Sequence, residues 1–290
     1  MISASLVKEL RELSGAGMMD CKKALEATEG QIEAAMDWLR EKGIAKASKK
    51  EARIAAEGLA NIYIEEDKAV MLEVNSETDF VSKNEEFTKL IDEIGEAILK
   101  GKETDLDKIN ELPTSAGTVN DLIVAKTNKI GEKLALRRVL VINKKTDENF
   151  GTYLHMGGKI AVLTVLKGAN PEIAKEVAMQ VAAMKPQYLK QVDVPQEEID
   201  KERVVLKEQA INEGKDETVA EKMVEGRLNK YFKEICLTLQ PFIKDGDLTV
   251  EKYVTNNGGE IISMYRYEVG EGMQKRTDNF AEEVMTQIKE

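Results

Sequence analysis

The sequence predicts an α+β protein with three parts. An N-terminal three-helix module comes first, then two related α+β subdomains, the second interrupted by a helical hairpin arm. Three observations carry this reading. Residues 3–43 hold three short helical patterns separated by glycine breaks. The order hairpin, helix, helix, strand occurs twice further on. A charged stretch from about Pro195 to Ile235, inside the second copy, reads as two long helices around a turn at Gly214.

The elements follow in order. SLVKELREL has Leu6, Leu10 and Leu13 at i, i+4, i+7, and SGAG breaks it. MMDCKKALEAT is the second helix, ended by Gly30. QIEAAMDWLREKG is the third, with Ile32, Ala35, Met36 and Leu39 on one face and Gly43 as its stop. Three helices in so short a segment make a module small for independent stability, of the kind that recognises a partner surface. KASKKEARIAAEG then reads as a charged helical linker ending near Gly58.

The period changes next. IYIEEDKAVMLEVN reads as two strands around Glu65-Glu66-Asp67-Lys68, and Val70, Leu72 and Val74 alternate with Ala69, Met71 and Glu73. Phe87, Leu90, Ile91, Ile94 and Ile98 mark a strong helix. A second helix is expected at about 119–130 and a third strand at 134–143. GTYLHMGGKIAVLTVL is the second hairpin, turning at Met156-Gly157-Gly158-Lys159. NPEIAKEVAMQVAAM is the helix after it, with Pro171 in its first turn, and EIISMYRYEV at 260–269 closes the copy. The expected domains are 1–55, 56–143, 144–275 with the arm at about 190–235, and a C-terminal helix over 276–290.

Composition bounds the function. At 290 residues, with 42% hydrophobic and 33% charged residues, the chain has material for two or three soluble domains. Aromatics are only 5%, so the core must be largely aliphatic. No stretch resembles a membrane span or a signal peptide, which predicts a cytoplasmic protein without membrane contact. Cys21 and Cys236 form no CxxC pair and read as reduced thiols. The net charge of −11 argues against nucleic acid as direct partner. The only local basic run is Lys46, Lys49, Lys50 and Arg53.

Catalytic chemistry is sparse. His155 is the single histidine, so no Ser-His-Asp set forms without it, and no serine sits in a G-x-S-x-G elbow. A metal site would need His155, Cys21 and Cys236 to converge from distant elements. GGK at 157–159 fails as a P-loop, because Tyr153 and Ile160 stand where that pattern needs Gly and Ser or Thr. No enzyme activity, cofactor or metal is expected.

One stretch stands out, NSETDFVSKNEEF at 75–87. Ser82 and Glu85 fit a capping box, which starts the next helix at Lys83. Val81 then has no staple partner, since Glu86 is at N4. The helix already owns a full apolar face without Phe80. Two readings of Phe80 are open: it tucks under the sheet, or it is an exposed aromatic anchor with a carboxylate beside it.

SLVKELRELSGAGMMDCKKAL at 5–25, LEVNSETDFV at 72–81, HMGGKIAVL at 155–163, AEKMVEGRLNKYFKEICL at 220–237 and YEVGEGMQK at 267–275 together resemble the bacterial elongation factor Ts family, in order over almost the whole chain. The resemblance implies a guanine-nucleotide exchange factor for elongation factor Tu, the GTPase that delivers aminoacyl-tRNA. It implies a ubiquitin-associated-like N-terminal module touching the nucleotide-binding domain of Tu, two core subdomains gripping that domain and a distal β-domain, and self-association through the helical arm in some members. The family's Thr-Asp-Phe-Val segment falls on Thr78, Asp79, Phe80 and Val81, and is implied to displace the Mg²⁺ beside the nucleotide. Met18, Met19 and Lys23 are implied to face the GTPase, against a reading in which at least one of the two methionines is module core. Ile130 and Gly131 match a segment near the same helices of Tu, against a plain helix end with its glycine stop. His155, Gly157 and Gly158 are implied contacts on the second hairpin. Cys21 matches a family cysteine implied to be buried.

Two rival classes remain at this point. A nucleic-acid or ribosome-associated binder would use the Lys46–Arg53 run and weaken steeply with salt. An assembly scaffold built on the arm would self-associate without affecting nucleotide release.

Overall fold

A computed structural model describes residues 2–14, 16–101 and 103–274, excluding the side chains of Ile44, Ala45, Lys46 and Ser48. The helix expected over 276–290 lies outside the described residues, as does the side chain of Lys46. Helices and strands are mixed, three helices preceding a sheet-containing core, so the chain is α+β. The described residues divide into two compact units. The first holds those of 1–65 and 70–142 with the return from Glu268, and the second holds 66–69 and 143–267.

In the first unit, α1 (Ala4–Ser14), α2 (Met18–Ala27) and α3 (Ile32–Ser48) enclose a small core of Val7, Leu10, Cys21, Ala24, Leu25 and Ala35. The expected Leu13 stripe is displaced, since Leu13 is 60% exposed. The packed face runs Val7, Leu10, Ser14 (i, i+3, i+7), and the Ser14 hydroxyl, 3.6 Å from Cys21 Sγ, takes the inward position of the last turn. Met36 is likewise exposed, while Trp38 packs against the core.

Gly43 does not stop α3, which continues to Ser48. A lone glycine costs a helix only about 1 kcal/mol, and tertiary contact outweighs that here. The Gly43 carbonyl accepts from Asn128 Nδ2 at 3.0 Å, and a Cβ on Gly43 would sit 3.1 Å from that nitrogen. The linker expected as helix to Gly58 instead turns over 49–52 and then runs extended. Ala55 and Ala56 are buried there, and the Glu51 and Arg53 carbonyls, which a continuing helix would give to its next turn, accept from the Lys133 ammonium instead.

The rest of the first unit is a three-stranded sheet with helices packed on it. Hairpin β1 (Glu57–Glu65) and β2 (Lys68–Ser76) is followed by α4 (Glu85–Gly101), a short α5 (Leu106–Asn110), the small ribbon β3 (Pro113–Thr114) and β4 (Gly117–Thr118), α6 (Val119–Ile130) and β5 (Ala135–Asn143). The sheet order is β1-β2-β5. Val70, Leu72 and Val74 meet Phe87, Leu90, Ile91, Ile94 and Ile98 of α4 in one core. The alternate row of β2, with Met71 and Glu73, is buried as well. Thr118 and Asp121 form the capping box of α6, and Gly131, at φ +92°, ends it with its N–H on the Thr127 carbonyl.

The second unit repeats the plan. Hairpin β6 (Glu148–His155) and β7 (Ile160–Lys167) precedes α7 (Pro171–Met184). The arm is α8 (Gln196–Asn212) and α9 (Glu217–Ile235). The ribbon β8 (Pro241–Phe242) and β9 (Asp245–Thr249), then α10 (Val250–Asn256) and β10 (Glu260–Glu268), complete it. Its sheet order, β10-β7-β6, matches the first, because the closing strand again pairs with the second strand of the hairpin. In β6, Gly151 allows α7 to lie directly on the sheet: a Cβ there would stand 2.1 Å from the Ala174 carbonyl carbon and oxygen. The arm has its own seam of Val194, Leu206, Val224, Leu228, Phe232 and Ile235. At its base Glu198 accepts from Tyr188 at 2.6 Å and Tyr231 at 2.7 Å.

Candidate functional site

The segment between β2 and α4 is ordered by local bonds and by distant ones. Val81–Lys83 forms a single 3₁₀ turn, and the expected capping box at Ser82 and Glu85 is absent. Ser82 instead turns back, its hydroxyl donating to the Asp79 carbonyl at 2.6 Å. The cap of α4 is Asn84, whose Oδ1 accepts from Glu86 N at 2.8 Å, so the helix begins at Glu85 rather than Lys83.

Val81 is buried in the core under the sheet, which supplies the packing that a staple would have given. Successive side chains of a 3₁₀ turn diverge by roughly 120°. With Val81 inward, Phe80 points away, and it is 81% exposed. Of the two readings of Phe80, burial under the sheet is thereby excluded. Asp79 beside it is exposed, and among the described residues its carboxylate has no ion-pair partner.

Thr78 is held from the far side of the unit. Glu132 accepts from the Thr78 N–H at 2.9 Å and from its hydroxyl at 2.6 Å. Glu77 accepts from the Lys133 N–H at 2.6 Å and from Arg53 at 3.2 Å. Ile130 packs partly buried against the core, and Gly131 is the left-handed cap of α6, with nothing within 4 Å of its missing Cβ. Both therefore form a helix end with its glycine stop, and that end delivers Glu132 to Thr78. Glu86, in the first turn of α4, bonds Lys126 at 2.5 Å and Lys129 at 2.9 Å, and these ammonium groups lower its pKa to about 2. The pair of bonds fixes the two helix ends that carry the segment.

Sequence reasoning missed Glu77 and Glu132. Both are ordinary charged residues locally, and the backbone donors they accept from, Lys133 and Thr78, lie more than fifty positions away. The pointers were positional: Glu77 lies within the 75–87 stretch already singled out, and Glu132 adjoins the Ile130-Gly131 turn.

Met18 and Met19, in the first turn of α2, are 59% and 65% exposed, and Lys23 is exposed too. The reading that puts one of these methionines in the module core is overturned. Cys21, Ala24 and Leu25 fill the inward face, and Ala16 from the preceding loop packs on it. His155 ends β6, exposed, with Nδ1 3.3 Å from the Tyr153 hydroxyl. Met156, Gly157 and Gly158 follow at φ +49°, +65° and +101°, a left-handed run that thrusts the Met156 side chain into solvent. These three belong to the second unit.

Two residues of the basic run are committed internally. Lys50 donates to the Thr127 carbonyl at 3.2 Å, and Arg53 pairs with Glu77. Among the described residues, no cluster of three or more His, Cys, Asp or Glu could hold a metal ion, and no helix is long and apolar enough to cross a membrane.

An α+β scaffold that holds an aromatic residue out in solvent on an ordered loop has the form of a partner-binding protein. The family model described as "Elongation factor TS" matches residues 77–271. An elongation factor Ts of Limosilactobacillus fermentum (strain NBRC 3956 / LMG 18251) is 51% identical over 287 residues, which is 99% of this chain and 98% of that one. The chain belongs to the elongation factor Ts family, whose members are nucleotide exchange factors for elongation factor Tu in translation elongation.

Proposed function

We propose that this protein binds GDP-loaded elongation factor Tu and that Thr78, Asp79, Phe80 and Val81 drive nucleotide release by displacing the Mg²⁺ beside it. The observation that carries the reading is Phe80, 81% exposed at the tip of an ordered turn. Its burial in a partner is worth about 1.5–3 kcal/mol. If that gain is made only in a distorted GTPase, it stabilises the state in which Mg²⁺ and GDP no longer fit. Linkage makes the effect reciprocal, so nucleotide binding weakens the factor's grip by the same ratio. Asp79 supplies a free carboxylate for helix ends or groups that the ion had organised. Val81 acts from within the fold, as the buried pin that turns Phe80 outward.

Met18, Met19 and Lys23 extend the contact surface on the N-terminal module. His155 with Gly157 presents a second one, while the expected contact Gly158 is buried in the turn beneath them. No resident cofactor or chemical catalysis enters this reading, and direct nucleic-acid binding is disfavoured by the engagement of Lys50 and Arg53. Exposed Val204 and Val205 on α8 favour self-association through the arm as an additional partner mode, which sedimentation of a Val204→Lys variant tests.

The deciding experiment is release of a fluorescent GDP from elongation factor Tu at saturating Mg²⁺ with excess unlabelled GDP. The native chain is expected to accelerate release many-fold, and Phe80→Ala to lose most of that while melting at the same temperature. An equally active Phe80→Ala would move the work elsewhere in the interface. An inactive native chain would overturn the exchange function itself.

A further inference from the structure

The carboxylates behind the Phe80 loop trade partners. Glu132 takes the N–H and hydroxyl of Thr78, one oxygen for each donor, and Glu77 takes the N–H of Lys133 in return. Each of the two chain segments thus caps the backbone of the other with the residue adjoining its own capped N–H. The Lys133 ammonium closes the arrangement on the carbonyls of Glu51 and Arg53, and Arg53 returns to Glu77. Such bonds to ionised acceptors are about twice as strong as neutral ones.

The clasp sits where core packing does not reach. Downstream, Val81 is pinned in the core and three backbone bonds shape the 3₁₀ turn. Upstream, Thr78 and Asp79 have left the sheet, and Thr78 is anchored through Glu132 and through its carbonyl, which accepts from Ser76. Without the clasp, the upstream half of the loop would have to be ordered when the partner binds, and that ordering would subtract from affinity.

We propose that Glu132 and Glu77 are positioning residues for nucleotide exchange, holding Phe80 in its protruding conformation before the GTPase arrives. The proposal rests on the exchange role of Phe80 given above. Glu132 touches neither nucleotide nor reacting atoms and acts through Phe80.

The test uses the full chain with Glu132→Ala, Glu132→Gln, Phe80→Ala and the Phe80→Ala/Glu132→Ala double variant. Each is read by fluorescent GDP release from elongation factor Tu over a range of factor concentrations. Amide hydrogen exchange at residues 76–84 is followed in the free protein. Glu132→Ala is expected to deprotect the loop amides. It should also raise the concentration for half-maximal release about tenfold, with a smaller change in the maximal rate, because the competent loop is less populated. Glu132→Gln keeps one acceptor for Thr78 and recovers part of the loss. The double variant is expected to be no slower than Phe80→Ala. Full activity of Glu132→Ala beside a slow Phe80→Ala overturns the positioning role alone. A further tenfold loss in the double variant also overturns it, since Glu132 would then act through the fold. Full activity of Phe80→Ala overturns the loop reading and the clasp's role with it.

Discussion

Glu73 offers the sharpest test of how the first unit holds together. Its side chain is fully buried, and its carboxylate accepts four hydrogen bonds. Asn75 Nδ2 at 3.0 Å, Arg137 at 3.0 Å and the Gly270 N–H at 2.9 Å converge on one oxygen, and Arg138 Nε meets the other at 2.6 Å. Both arginines also bond the returning chain, Arg138 at the Glu268 carbonyl and Arg137 at that of Glu271. Removing one partner of a buried ion pair costs about 3–5 kcal/mol, because the other charge is left unpaired. The arginine side chains here are 24% and 28% exposed and keep their carbonyl partners, so Glu73→Ala belongs at the low end, about 3 kcal/mol. That predicts a fall of about 6–12 °C in the thermal midpoint at pH 7, followed by circular dichroism.

The pH dependence of this difference has a definite sign. Burial raises the Glu73 pKa, but the Gly270 N–H, Asn75 and the two arginines outweigh it and hold the group below its ordinary 4.5. Its stabilisation is therefore fully present above 4.5 and is lost as pH falls through the lower folded-state value. Native and Glu73→Ala midpoints should draw together as the pH is lowered below the ordinary 4.5 and through the depressed folded-state value. A midpoint shift under about 2 °C at pH 7, or a gap unchanged on acidification, would refute the argument.

Two further outcomes are expected. Gly151→Ala should destabilise the second unit by about 1–3 kcal/mol or more, since its Cβ would meet the Ala174 backbone at 2.1 Å; Gly246→Ala, with open space around it and no left-handed φ, is the control, and equal melting of the two would remove the close approach from the account. Both thiols should resist disulfide reagents at pH 8 until urea is added, because both are buried and desolvation pushes Cys236 up to about 11; a thiol that reacts at once in the native chain would contradict this burial.

Much of the architecture was legible because periodicity reports burial locally. The apolar stripe of α4, the two hairpins, the αL glycine after Ile130 and the duplicated element order each arise within a window of a few residues. Phe80 was legible only in part: the local pattern had no use for it, but its exposure was decided by the fold, which turns Val81 inward. The same local logic erred where a neighbour in space overrode it. Gly43 reads as a stop in isolation but permits contact with Asn128, and Leu13 yields its inward position to Ser14.

What lay beyond the sequence is the identity of long-range polar partners. Nothing near Glu77 or Glu132 announces that they exchange backbone donors, and nothing in β2 announces that Glu73 is buried between two arginines. A charged residue has the same local signature whether it faces solvent or a distant N–H. The folded chain alone decides which, because the hydrogen bond forms only after packing has brought segments fifty or more residues apart to within 3 Å. Helical period and the placing of Phe80 outside it were therefore set residue by residue. The means by which that side chain is kept in solvent, ready for a partner, came from the way the first unit closes on itself.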